Sequence, residues 1–449
     1  MTGSTNRPRL TRRALLGAGL ASMTLPLAAC SSPVAAGLTG SQLNPKTLIF
    51  WNLFGGGDGS RMQEMERGYQ KAHGGSDSLQ ATVFAWGNPY YSKVTLATVG
   101  NKPPDVAVAH LTRARLLAQG GVLEPITDED LASVGLSADD LDQKSWASQK
   151  TDGKNIAIPL DTHPFVMFFN QDVCDKAGLV ENGKLTTITG MDDFESALAE
   201  ISKVTKGTAI TLANVNETAT PWRMFLSLYS QFTDAKPYLG DDGAAITVDD
   251  DKAKEVIATI QRWTKKGWMN KALDYAGSQT QMFTAKAGLY LQGEWEITTA
   301  QSIKGLKFGM VPVPQLFDKP ANQADSHTFV LPKKDRTPEQ RKQAMGFIKS
   351  MLDQSATWAA GGHVPAYTPY RDSAAYKKLE PQADYAAAAD RAVFDPEAWY
   401  SGSGSTFETI VGSQLGLAQQ GSLTPDATLK AIRDQLAVYL RTKSPLQSA

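Results

Sequence analysis

Residues 152–172, DGKNIAIPLDTHPFVMFFNQD, read as two short strands meeting at a polar elbow. Residues 156–159 and 165–169 are apolar runs of strand length. Between them, residues 160–164 carry Asp161, Thr162 and His163, side chains expected at a site rather than inside a core. Pro159 and Pro164 fix φ on either side and stiffen the elbow.

The chain around this elbow has 449 residues, more than the roughly 250–300 at which a single core stops growing, so two lobes are expected. The formal charge of −1 hides an asymmetry: residues 1–29 hold four Arg and no acid, which leaves 41 basic residues against 46 acidic ones from Cys30 onward. A mildly acidic body argues against nucleic acid as a partner.

Thr11-Arg12-Arg13-Ala14-Leu15-Leu16 resembles a twin-arginine export motif, and the apolar run that follows to Ala29 is too short and Gly-rich to span a bilayer. Leu27-Ala28-Ala29-Cys30 resembles a lipobox, which implies a signal peptide over 1–29, a lipidated Cys30 and a flexible tether over 30–45. The only other cysteine, Cys174, then has no disulfide partner and reads as a small buried hydrophobe.

Along the chain, strands alternate with helices. Residues 47–51 form a buried-strand pattern broken by the loop Asn52-Leu53-Phe54-Gly55-Gly56-Gly57-Asp58-Gly59, and 60–72 repeat apolar residues at helical spacing. Residues 80–84 and 105–109 are further strands, the first followed by Trp86-Gly87-Asn88-Pro89 and the second ending at His110. Such alternation implies a mainly parallel sheet with loops at the strands' carboxyl ends, where open α/β sheets bind ligands. The glycines fit neither the dinucleotide fingerprint nor a P-loop. Farther on, 191–204 and 249–266 are amphipathic helices, and Thr220-Pro221-Trp222 pairs a cap with Pro at a first helical position.

Several of these stretches resemble blocks of the family 1 extracellular solute-binding proteins, the sugar receptors of bacterial ABC importers. Asp152-Gly153-Lys154 through Asn170 is similar to that family's DGK-x-(Y/I)-A-I-P-x-D block, and Gly120-Gly121-Val122-Leu123-Glu124-Pro125 to its first crossing. Residues 308–314, FGMVPVP, resemble its second crossing, 361–366, GGHVPA, a later element, and 287–295, AGLYLQGEW, part of its G-x-W block. The resemblance implies a two-lobe α/β fold of the type II periplasmic-binding-protein kind, with three hinge crossings, the first near 123–127. It implies an N-terminal lobe of 46–125 with 314–366, and a C-terminal lobe of 126–313 with 367–449.

It also implies a function: reversible binding of a mono- to oligosaccharide between the lobes, delivery to ABC permease subunits, and a monomer anchored by lipid to the outer face of the membrane. No cofactor and no metal is expected, since no His pair has i, i+4 spacing. A sugar offers apolar faces for stacking and hydroxyls for polar partners. Trp51, Trp86, Trp222, Trp295 and Trp399 are the stacking candidates; Asn52, Asp58, Asn88, His110, Asp161, His163, Glu294, Ser326, His327 and His363 are the polar ones. Leu53 and Phe54 read as apolar lining. A glycerophosphocholine-type diester is the alternative ligand, because aromatic side chains also cage a quaternary ammonium. A glycoside hydrolase is the enzyme alternative, for which Glu294 and Glu296 are a carboxylate pair by proximity in sequence alone.

Overall fold

A computed structural model of the protein describes residues 46–444. The export motif, Cys30 and the tether lie outside the described residues. Among the described residues no helix is long and apolar enough to cross a membrane.

The first lobe is built on a five-stranded sheet ordered Leu79–Val83, Leu48–Asn52, Val106–His110, His327–Val330, Ile158–Pro159. The first three strands are parallel, as the strand–helix alternation requires. His327–Val330 runs antiparallel to Val106–His110 and places His327 directly opposite His110. Phe50, Val106, Phe329, Phe347 and Trp358 anchor the core on its faces.

The second lobe is organised by the ten-residue strand Asp161–Asn170, every residue of which is buried. It pairs with Leu289–Gly293, Phe308–Pro312, Asn322–Asp325 and Val364–Pro365, all antiparallel. The mainly parallel pairing expected from the sequence is therefore confined, in this sheet, to its outer strands Ile210–Thr211 and Ala392–Val393. The reason is directional. Asp161–Asn170 enters from the first lobe, whereas Asn322–Asp325 runs back toward it and continues one residue later as His327–Val330. Phe194, Trp222, Phe225, Trp263 and Phe407 fill one face of this sheet, and Phe168, Tyr290 and Tyr385 the other.

Sheet membership changes at different places from those read in the sequence. Ile126, Leu131, Leu136, Leu141, Trp146 and Ile156 to Leu160 all pack into the first core, so the chain leaves the first sheet between Pro159 and Asp161, not near 123–127. Phe308–Pro312 stays within the second sheet, and the return falls at Ser326. Pro-rich stretches mark places where pairing stops. Which core a segment then joins is set by distant partners, here an Arg341 that binds Glu124 and Asp130 at 2.6 Å each.

Candidate functional site

The elbow is not a surface loop. Asp161, Thr162 and His163 begin the long strand itself, in register with Pro365, Val364 and Asp325. Burial is tolerated because these polar groups satisfy one another. Oδ1 of Asp161 accepts from the His327 amide at 2.8 Å and faces Nδ1 of His163 at 3.1 Å. Oδ2 accepts from Trp358 Nε1 at 2.6 Å and faces Nδ1 of His327 at 2.8 Å. Burial alone would raise this carboxyl's pKa; the imidazoles of His327 and His363 and the hydrogen bonds from His163 and His327 together hold it well below the usual range.

Three histidines stand over this carboxylate. His163 stacks on His327 with ring centroids 4.1 Å apart, and His110 lies 4.9 Å from His327. Desolvation pulls His163 down to about 3 and His110 well below its ordinary value, so both rings are neutral. His363 behaves in the opposite way. Burial opposes its charge, but Asp58, 3.1 Å from Nε2, and Asp161, 3.4 Å from Nδ1, hold its pKa well above the ordinary value.

Glu294 lies against the same ring, with Oε1 2.9 Å from His363 Nδ1. The pair is not aligned for a hydrogen bond, and neither Glu294 oxygen has a hydrogen-bond donor within the described residues. Burial, offset only in part by His363, pushes this carboxyl up to about 7.

These groups form the floor of a cavity of about 280 Å³ between the lobes. Leu53, Phe54, Asp58, Trp86, His110 and His327 line it from the first lobe, and His163, Glu217, Arg223, Tyr275 and Trp295 from the second. Trp86 is 45% exposed, with its ring 6.3 Å from His110. Trp295 stands 6.1 Å from His163, donates Nε1 to the Tyr275 hydroxyl at 3.1 Å and carries the Arg223 guanidinium 4.9 Å over its ring. Two indoles thus reach the cavity from opposite lobes.

Of the residues read from the sequence, Asp58, Trp86, His110, His163, Trp295 and His327 line the cavity, as do Leu53 and Phe54. Asp161, Glu294 and His363 lie one layer beneath and are fully buried. The others serve elsewhere. Trp51 is fully buried against Phe84. Asn52 accepts from the Phe54 amide and donates to Glu66, which holds the Gly-rich turn in place. Asn88 accepts from Arg113 at 2.9 Å, and Ser326 is buried beside Asp325. Trp399 donates to the Thr442 carbonyl at the C-terminal helix.

The sequence reads Thr220 as a helix cap and Pro221 as the first helical position; the helix instead runs Ala219–Tyr229 after Thr218, and Trp222 points into the core with Nε1 on Asp395 at 2.9 Å. Ala219 and Arg223, four residues apart on the same helix, face the cavity instead. A single Arg in the apolar helix ATPWRMFLSLY was the available signal for that face. Glu217, held by the Thr220 amide at 2.8 Å, and Tyr275 had no local signal.

The cavity is bridged on one side by the loop 401–405. The Ser403 carbonyl accepts from Arg113 at 3.2 Å and the Ser403 amide donates to Thr112 Oγ1 at 3.1 Å. At Gly404 a Cβ would lie 3.1 Å from the Trp86 ring, so glycine there permits the close approach.

A sequence model of the family described as bacterial extracellular solute-binding protein matches residues 69–392. No curated protein matches the chain. Among solved structures, the GacH receptor of Streptomyces glaucescens, studied unliganded and with acarbose, is similar at 18% identity and TM-score 0.70, covering 88% of this chain and 98% of that one. The cyclic α-maltosyl-1,6-maltose binding protein of Arthrobacter globiformis has 16% identity and TM-score 0.67, covering 89% and 100%. An ABC substrate-binding protein of Listeria monocytogenes in complex with cycloalternan has 17% identity and TM-score 0.69, covering 88% and 99%.

Proposed function

The chain belongs to the bacterial extracellular solute-binding proteins, and from that premise we propose that it binds a carbohydrate reversibly in the interlobe cavity and delivers it to an ABC permease. The observation that carries this reading is the pair Trp86 and Trp295, one from each lobe, facing a cavity rimmed by Asp58, Glu217, Arg223 and Tyr275. Flat rings take the C–H faces of a sugar, and carboxylates with a guanidinium take its hydroxyls. The similar receptors bind acarbose, cyclic maltosyl-maltose and cycloalternan.

A cavity of about 280 Å³ is near the lower end of small-ligand sites and suits one or two sugar rings in this arrangement. A disaccharide of about 23 heavy atoms at roughly 0.3 kcal/mol each gives about 7 kcal/mol, near-micromolar affinity. The lobes would close by hinges at 160–161, at Ser326 and before Val364, and loop 401–405 would lock against Thr112 and Arg113. Export by the twin-arginine signal, a lipid on Cys30 and action as a monomer complete the proposal.

Glu296 is engaged by Tyr275 and Gln279, and Glu294 is sealed beneath His363, so this pair does not face a bond in the cavity as a glycosidase requires. Arg223 over the Trp295 ring, in a cavity that Trp86 also lines, supports one second reading, a choline phosphodiester, with phosphate on the guanidinium and ammonium on the rings. Calorimetry with a panel of mono- to trisaccharides and glycerophosphocholine tests both. Saccharide binding near micromolar supports the proposal; binding of glycerophosphocholine alone, or of nothing, overturns it.

A further inference from the structure

We propose that His110, His163 and His327 bind one divalent transition-metal ion of the zinc class at the floor of the cavity, with a coordination position left open toward the solute. The three rings come from three strands: His110 ends Val106–His110, His327 begins the strand opposite it, and His163 lies near the start of the long strand. All three are buried, between 3% and 5% exposed, yet all line the cavity. Their ligating nitrogens lie within 4.8 Å of one another.

The second layer is what a metal site needs. A metal-bound imidazole is held by a partner on its other nitrogen. Nδ1 of His163 and of His327 both lie on the Asp161 carboxylate, and Nδ1 of His110 lies 2.7 Å from the Tyr91 hydroxyl. That leaves Nε2 of each ring as the free donor atom. A tetrahedral ion with bonds of about 2.0–2.1 Å needs nitrogens about 3.3 Å apart, so binding would draw the three rings together.

A purely structural role accounts for less. An apolar core has no use for three clustered imidazoles, each tied at Nδ1 and turned toward a cavity. The other possible group, Asp161 with His327 and His363, is already committed: Asp161 accepts from three side chains and an amide, and His363 is gripped by Asp58 and Asp161. Three imidazole nitrogen donors favour zinc, copper, nickel or cobalt over magnesium or calcium, which prefer oxygen. Asp58 and Glu217 on the lining, with Asp161 below, outnumber the cationic groups beside them, Arg223 on the lining and His363 below.

The inference is independent of which solute binds. Tag-free mature protein, stripped with chelator, is titrated with Zn²⁺ alone by calorimetry, and Cu²⁺ bound to the same protein is examined by electron paramagnetic resonance. One Zn²⁺ per chain at micromolar affinity or tighter is expected, with at least two imidazole nitrogens coupled to Cu²⁺. H110Q and H163Q should each weaken Zn²⁺ binding at least a hundredfold, and H73Q, a change at a histidine outside the cavity, should leave it unaltered. No binding tighter than millimolar, fewer than two nitrogens on Cu²⁺, or full affinity in a variant with a native circular dichroism spectrum overturns the proposal.

Discussion

His163 and His327, stacked 4.1 Å apart, present Nδ1 to opposite oxygens of one buried carboxylate, that of Asp161. Asp161 is thus the node that fixes the floor of the cavity, not a group that meets the solute. D161N keeps the shape but loses the charge that orients both rings and the Trp358 indole. Breaking a buried network of this kind costs about 2–4 kcal/mol, to be read as a lower urea midpoint at pH 7. Wild-type stability in this variant would show that the node is dispensable.

Trp295 and Trp86 face the cavity whereas Trp222 faces the core, and the three indoles should separate accordingly. W295A and W86A are expected to weaken carbohydrate binding at least tenfold, about 1.4 kcal/mol, with little change in thermal midpoint. W222A should instead destabilise the fold by about 3–5 kcal/mol. Calorimetry paired with thermal unfolding distinguishes the two behaviours, and equal binding losses in all three variants would contradict the assignment.

Gly402 has φ +98°, and a Cβ there would lie 2.9 Å from the Arg113 side chain and 3.0 Å from the Thr112 carbonyl. G402A therefore strains the contact between the lobes without touching the cavity lining. The expected result is a five- to tenfold loss of solute affinity, about 1–1.4 kcal/mol. Small-angle scattering with saturating solute should show more expanded particles than for the wild type; an unchanged profile and affinity would count against loop 401–405 as the latch.

Glu66 is buried behind the Gly-rich turn, where desolvation pushes its carboxyl from 4.5 up to about 7 although Asn52 and Arg67 favour the charged form. Between these values the native state holds a proton that the unfolded chain has released, so stability falls as pH rises from about 4.5 to about 7 and the loss is complete above. E66Q still accepts from Asn52 but escapes that fall. It should exceed the wild type by about 1–3 kcal/mol at pH 8 and match it at pH 4, measured by urea unfolding. A difference independent of pH would exclude this carboxyl as the cause.

Much of the local structure was legible because its signals are local. Asp249 caps the helix Asp250–Lys265 through the Asp251 and Lys252 amides, and Val256, Ile257, Ile260 and Trp263 on its apolar face are buried, as the helical spacing requires. The first three strands and their parallel order follow in the same way from apolar runs alternating with helices. In the helix Ala219–Tyr229 the sequence makes Trp222 and Arg223 equal candidates, and which of them faces the cavity depends on how the helix docks Trp222 against Phe407 and Tyr238.

By itself the sequence determined two α/β lobes, an elbow of polar residues between them and four histidines placed near its turns. Only the tertiary structure decided that Asp161 and His163 lie inside a strand, that three imidazoles share one floor, and that segment 126–160 joins the first core. The physical reason is range. Periodicity and capping act over a few residues, whereas the His327 amide that satisfies Asp161 arrives from 166 positions away. Until such a partner is in place, nothing in the chain distinguishes a buried carboxylate from an exposed one.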